Sequence, residues 1–289
     1  MSNPFKFSIH HNVFLDPTGG RINLRLLLGW MQLTEKTDLT NEEKEHLFRV
    51  LNFVGIKLGA AYSHWQRFKM KEAELIDKVK AAPAPEAPVI AEVEVSQELF
   101  LELDEFLVQV KSCLDHVVKA PTPIFSKKNW NLNRFGEKGE QVVKALNSLP
   151  KQHKHLASGL THILGEHKPW MTIAIGMRDA LNHYLAGGLP IERFGVYRTE
   201  LAATVTIHRP MWNESQTIDE AMRAVWQNLF TFLEDFVSMI IFARRQPLFA
   251  IGKRPLPVDS TEPAWFVDLE ESVKQALIAA TRPPQSGSA

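Results

Sequence analysis

The sequence predicts a mainly α-helical protein with a minor β element. Apolar residues recur at three- and four-residue steps over long segments, which is the spacing of one helix face. Two of these segments start at a Thr that has a Glu three residues later, the pattern of a helix-capping box. Residues 194–208 are instead rich in β-branched side chains, and Phe5–Phe14 alternates loosely, so we expect strands there.

We expect helices wherever an apolar stripe or a capping signal marks one. They cover residues 21–33, 41–79, 96–119, 137–148, 170–186 and 218–244. Thr40 and Thr217 cap the second and last of them, and Gly187-Gly188 ends the fifth. The stripes of 96–119, 170–186 and 218–244 must each be covered, so these three helices are expected to share one core.

A proline-rich segment divides the chain. Three prolines in Ala81–Val89 favour an extended backbone and remove helix donors, which is typical of a linker. The predicted organisation has four parts: an N-terminal helical module with a short strand (1–80), a linker (81–95), a helical bundle (96–245), and a C-terminal extension with a short helix and a disordered tail (246–289).

Composition excludes several classes of protein. The 33 basic residues equal the 33 acidic ones, so no global field attracts nucleic acid or an anionic membrane. A single cysteine, Cys113, rules out an internal disulfide. The longest apolar stretch, Leu229–Ala243, is interrupted by Glu234 and Asp235. No signal peptide or spanning segment is expected, which favours a cytoplasmic protein without membrane contact.

Charge is nevertheless uneven along the chain. Residues 81–110 hold seven acids and no Lys or Arg, whereas residues 111–155 hold nine basic residues against three acids. This pattern indicates either solvated helix faces or a basic patch beside a phosphate-handling site.

The motifs of phosphate loops, dinucleotide-binding folds, zincins and α/β-hydrolases are absent from the sequence.

Residues Arg178-Asp-Ala-Leu-Asn-His183 have the side chains that metal-free RNA cleavage requires. Four residues of helix bring Asp179 and His183 to within 40° of each other, so Asp179 is expected to accept a hydrogen bond from His183 directly or through one water. His183 would transfer a proton, and Arg178 would neutralise charge on the phosphate. In the structural alternative, Arg-Asp is a surface pair and the histidine favours the helix end.

Arg178-Asp-x-x-x-His183 resembles the Arg-polar-x(3–5)-His signature of the HEPN superfamily. The earlier segment Lys111-Ser-Cys-Leu-Asp-His-Val-Val118 and the following Pro123-Ile-Phe-Ser126 are similar to an "RSALDHL" helix and an "FPIF" segment of uncharacterised HEPN-like bacterial proteins. The resemblance covers about residues 96–245. It implies an up-and-down helical bundle, a homodimer, and RNA binding or metal-independent endoribonuclease activity of the defence or toxin type.

On this hypothesis the catalytic residues are Arg178, His183 and Asp179, with no metal and no cofactor. Residues that would bind or orient the RNA are Asp115, His116, Asn182, Lys127 and Lys128. Two alternatives remain open. One is a non-catalytic helical interaction or scaffold protein. The other is a metal-dependent bundle enzyme with His64, His116 and His183 on separate helices as ligands.

Overall fold

The computed structural model describes residues 16–82, 94–136, 139–183, 189–201 and 204–281. Within them the protein is mainly helical, as the sequence predicts. The strand predicted over Phe5–Phe14, most of the predicted linker and the tail predicted to be disordered lie outside these residues.

Most described helices begin close to the predicted positions, but α6 begins earlier and the short α4 was not predicted. A π-helical turn over Arg21–Leu27 continues directly into the first α-helix. The α-helices are α1 (Leu28–Glu35), α2 (Asn41–Ala81), α3 (Gln97–Val117), α4 (Thr122–Phe125), α5 (Glu140–Asn147), α6 (Lys154–His183), α7 (Ile218–Phe242) and α8 (Glu271–Thr281).

Both predicted capping boxes are confirmed. At the start of α2, the Glu43 amide donates to the Thr40 hydroxyl at 3.3 Å, and the Thr40 amide donates to the Glu43 carboxylate at 2.8 Å. Thr217 and Glu220 exchange the same two bonds at the start of α7. These bonds satisfy backbone donors that a helix start leaves free, so both boundaries are determined locally.

Helix α6 is longer at its start than predicted. It begins at Lys154 and passes through Pro169, although a proline inside a helix removes one backbone hydrogen bond. The sequence interpretation began the helix after this proline. Apolar residues on both sides of it, such as Leu160 and Ile175, are buried in the same core, and this packing keeps the helix continuous.

Helices α2 and α3 run antiparallel along one another. The Cys113 thiol lies 3.5 Å from the Val54 carbonyl, and at the other end Lys71 Nζ lies 2.5 Å from a carboxylate oxygen of Glu98. The two helices come from opposite sides of the predicted linker, yet residues of both belong to one hydrophobic core.

Helix α7 packs antiparallel to α2. The Trp226 indole donates to the Leu58 carbonyl at 3.2 Å, and the Trp65 indole donates to the Asp219 carboxylate at 2.7 Å. Length and composition would allow α7 to cross a membrane, but 67% of its most apolar window is buried inside the protein. This helix forms the centre of the core.

Helix α6 completes the bundle. The helix begins next to the end of α3, where the His153 ring lies 5.0 Å from that of Phe125, and it ends where Asn182 bonds Asp104 near the start of α3. Helix α6 is therefore antiparallel to α3. The four long helices α2, α3, α6 and α7 alternate in direction, and α3, α6 and α7 share one core, as predicted.

Two small antiparallel sheets accompany the helices. The strands are β1 (Glu94–Val95), β2 (Gly195–Leu201), β3 (Thr204–His208), β4 (Phe249–Lys253) and β5 (Trp265–Leu269). β2 and β3 confirm the strand prediction for residues 194–208, and β1 pairs with β2. The β4–β5 pair was not predicted, because each strand is only five residues long and the segment between them is loop.

The first sheet lies at the end of the bundle where α2 and α6 end and α7 begins. Arg198 on β2 donates to the Lys80 and Ala82 carbonyls at the end of α2, at 3.3 and 3.0 Å. The candidate residues on α6 lie at this same end.

Candidate functional site

The predicted catalytic segment occupies the last turns of α6. The Arg178 and Asp179 side chains are 31% and 28% exposed, and His183, the last described residue of the helix, is exposed. The helix end predicted at Gly187-Gly188 lies outside the described residues. The position of the segment at a helix end, not in the middle of the bundle, makes it accessible to a ligand.

Asp179 pairs with its neighbour and not with His183. Arg178 Nη1 donates to an Asp179 carboxylate oxygen at 2.5 Å. Among the described residues no hydrogen bond joins Asp179 to His183, so the direct contact that the helical spacing predicts is absent. The reason is electrostatic, because a guanidinium beside the carboxylate is a stronger partner than an exposed imidazole one turn away.

Asn182 connects this segment to α3. Its amide donates to the Arg178 carbonyl at 3.0 Å and to the Asp104 carboxylate at 3.1 Å. Burial and the nearby Glu105 raise the pKa of Asp104, against the opposing influence of Asn182 and Arg178. Sequence reasoning missed Asp104, although it faces Arg178 across the interface between the two helices.

Asp115 and His116 lie elsewhere on α3. They follow Asp104 by about eleven residues, or roughly 16 Å along the helix axis. Asp115 accepts from Lys111 at 2.6 Å and from the Phe135 amide at 2.7 Å, and the latter bond holds the loop that precedes α5. These two residues are thus not brought to the end of α6.

The His116 ring stacks on a ring of α2. Its centroid is 5.6 Å from that of Phe53, with 15° between the planes. Burial, Lys119 and Lys57 lower the pKa of His116. Lys127 and Lys128 are exposed just after α4, at the end of the bundle where α6 begins. Of the predicted site, the structure brings together only the residues on α6.

The histidines of the metal-enzyme alternative do not converge. His64 Nδ1 lies 2.8 Å from the Glu102 carboxylate, whereas His116 stacks on Phe53, about 16 Å from His64 along α2. His183 lies at the end of a third helix. In the described part of the chain, no three His, Cys, Asp or Glu side chains are placed to hold a metal ion.

A cleft that the sequence did not predict lies beside β2, β3 and the loop leading to α7. Its volume is about 480 Å³. Two arginines, two rings, a carboxylate and a hydroxyl line it. These are Arg193, Arg209, Tyr197, His208, Glu192 and Thr217.

A buried carboxylate fixes one of these arginines. Glu72 on α2 is 3% exposed and receives Arg209 Nε at 3.1 Å and Nη2 at 2.7 Å. Burial, with the nearby Asp219 and Glu220, raises the pKa of Glu72 more than the hydrogen bonds and charge of Arg209 lower it. Glu72 lies between Phe68 and Leu75 in an apolar stripe, and a carboxylate at such a position is the sequence signal that indicates a buried ion pair.

The raised pKa of Glu72 predicts a pH dependence of stability. A folded-state pKa above the unfolded value of 4.5 means that the folded protein binds this proton more tightly. The free energy of unfolding therefore falls as the pH rises from 4.5 through the raised pKa. Glu72→Gln should remove this fall, so the wild-type protein should lose stability relative to the variant as pH increases.

Urea denaturation between pH 4 and pH 7 measures this difference. Glu45→Gln is the matched control, because Glu45 is an exposed carboxylate on the same helix. A difference between the wild-type protein and Glu72→Gln that stays constant over this range would contradict the prediction.

Comparison with family models, with curated proteins and with solved structures gives no match to this chain. The functional assignment therefore rests on the residues of the chain itself.

Proposed function

We propose that this protein binds single-stranded RNA and cleaves it without a metal ion at the C-terminal end of α6. The observation that carries the proposal is that the His183 ring is exposed and makes no hydrogen bond to any residue that the structure describes. A ring nitrogen without a partner among these described residues is available to accept or donate a proton at a substrate oxygen.

Arg178 supports the proposal as a phosphate ligand. Its side chain makes one hydrogen bond within the described residues, to Asp179, and its buried Nε has no partner there. A guanidinium offers five donors in a fork that fits a phosphate. Asp179 would balance the charge of Arg178 until a phosphate oxygen accepts hydrogen bonds from the remaining guanidinium donors.

The proposed step is an internal transesterification. His183 accepts the proton of a ribose 2′-hydroxyl, and the 2′-oxygen forms a bond to the adjacent phosphorus. The bond to the 5′-oxygen breaks, that oxygen takes a proton from water, and His183 returns the proton it accepted to the solvent. The products are a 2′,3′-cyclic phosphate and a 5′-hydroxyl. Arg178 stabilises the negative charge that develops on the phosphate oxygens.

Arg178 and His183 are five positions apart, which places them 140° apart around the helix axis. One phosphate can meet both side chains near the helix end or across a two-fold axis between two copies. We therefore propose a homodimer as the active form. The HEPN resemblance supports the same arrangement and a defence or toxin role.

The test is cleavage of a labelled single-stranded RNA by the purified protein in excess EDTA. We expect chelator-resistant cleavage and products with a 2′,3′-cyclic phosphate. Activity that EDTA abolishes and zinc restores would instead support the histidine-metal enzyme. Absence of cleavage across RNAs of varied sequence would contradict the proposal.

A second candidate is a non-catalytic interaction protein. The observation that favours it is the Asn182–Asp104 bond, which uses part of the segment to hold α6 against α3. In that case Arg178→Ala should change the oligomeric state measured by light scattering, and neither the wild-type protein nor the variant should cleave RNA.

A further inference from the structure

We infer that the cleft beside β2 and β3 binds a small anion that carries a planar ring. Its phosphate or carboxylate group would contact Arg193 and Arg209, and its ring would lie against Tyr197 and His208. This site is separate from the α6 segment and does not depend on RNA cleavage.

Both arginines are held in place before any ligand arrives. Arg193 Nη1 donates to the Trp212 carbonyl at 3.3 Å. Arg209 uses Nε and Nη2 to bond the two carboxylate oxygens of Glu72. Both arginines line the cleft, and Arg193 Nε and Nη2 and Arg209 Nη1 make no hydrogen bond to the described residues. Because the side chains are already ordered, binding an anion costs little conformational entropy.

The lining of the cleft holds two arginines and one carboxylate, while Glu72, Asp219 and Glu220 act on Arg209 from outside this lining. Both carboxylate oxygens of Glu72 accept hydrogen bonds from Arg209. Asp219 accepts from the Trp65 indole and lies 3.6 Å from Arg209. The only carboxylate that lines the cleft in the described part of the chain is Glu192, against two arginines. At the N-terminus of α7, the capping box of Thr217 and Glu220 already uses backbone donors that could bind an anion. The anion ligands are therefore the two arginines.

The rings of Tyr197 and His208 form a fixed wall. The two residues are directly opposite on β2 and β3, and their ring centroids are 4.3 Å apart with planes 6° from parallel. A hydrogen bond between Thr199 Oγ1 and His208 Nε2, at 3.0 Å, holds the imidazole. Partly exposed rings of this kind stack on planar groups of a ligand.

The size of the cleft limits the ligand to one small molecule. Its volume of about 480 Å³ lies within the roughly 300–1,000 Å³ of ordinary ligand sites. Nucleoside monophosphates and aromatic carboxylates share the required chemistry of a ring and an anionic group.

Isothermal titration calorimetry of the full chain distinguishes these two classes of ligand. The ligands are UMP, AMP, uridine, inorganic phosphate and benzoate. We expect UMP, AMP or benzoate to bind at least about tenfold more tightly than either uridine or inorganic phosphate. Preference for the monophosphates identifies a nucleotide site, and preference for benzoate a carboxylate site. Failure of all three ring-bearing anions to bind would overturn the inference.

Three variants and a control locate the site. Arg193→Gln and Arg209→Lys should each weaken binding of the preferred anion by about 10- to 100-fold, as expected for loss of charge-assisted hydrogen bonds. Tyr197→Leu should reduce the preference for the ring-bearing anion over inorganic phosphate. Arg49→Gln removes an exposed arginine more than 20 residues of helix away from Glu72 and should have no effect.

Arg193 is exposed, so Arg193→Gln remains informative if Arg209→Lys disturbs the ion pair with Glu72. Unchanged affinity in Arg193→Gln would overturn the inference. His183→Ala should bind the anion as the wild-type protein does, and this arm separates failure of the cleft from failure of the RNA-cleavage proposal.

Discussion

His183→Ala is expected to lower the rate of chelator-resistant RNA cleavage by about 10²- to 10⁴-fold, the usual contribution of one positioned acid–base group. The ring is exposed and makes no bond to the described residues, so its removal should leave the fold unchanged. Single-turnover cleavage of a labelled RNA measures the effect.

The matched control is His162→Ala. His162 is an exposed histidine on the same helix, with a 74% exposed side chain, and it lies about 31 Å along the axis from His183. This variant should cleave RNA at the wild-type rate. Equal rates for His183→Ala and the wild-type protein would remove His183 from the mechanism.

Arg178→Ala should lower the same rate by about 10²- to 10³-fold, because it removes a donor to the charge that develops on the phosphate. Arg178→Lys keeps the charge but loses the fork and should recover only part of the rate. Wild-type activity in Arg178→Ala would show that the Arg178–Asp179 pair is only a surface ion pair.

The long helices were predictable because their signals are local. An apolar stripe and a capping box determine α7 without reference to any other segment. Pro169 gave a local signal in the opposite sense, and distant packing overrode it. The β4–β5 pair depends on contacts between two short segments, and such contacts have no local signature.

The sequence did not show which partners the candidate residues have. Spacing correctly puts Asp179 and His183 on one side of a helix, but it does not show that Arg178 takes the carboxylate. Asp104 lies 78 residues from Asn182 in the chain, and no periodicity connects them. The cleft is likewise invisible in the sequence, since Arg209 and Glu72 are 137 residues apart.

The buried ion pair of the core should have the largest effect on stability. Arg25 and Glu234 have side chains that are 3% and 4% exposed, and two hydrogen bonds of 2.8 Å join them. Arg25 Nη1 also donates to the Pro257 carbonyl, and its guanidinium lies over the Phe230 ring. The pair therefore connects the first helical turn, α7 and the loop between β4 and β5.

Glu234→Ala is expected to lower the free energy of unfolding by about 3–5 kcal/mol, because it leaves the Arg25 charge buried without its carboxylate. Urea denaturation with an unchanged m-value measures this loss. Glu45→Ala, which breaks an exposed pair with Arg49, should cost less than about 1 kcal/mol. The double variant Arg25→Met/Glu234→Met removes both charges and should be more stable than Glu234→Ala, since an unpaired buried charge costs more than a missing pair. A double variant no more stable than Glu234→Ala would contradict this reason. The loss in Glu234→Ala would then come from the missing ion pair and not from the unpaired charge of Arg25.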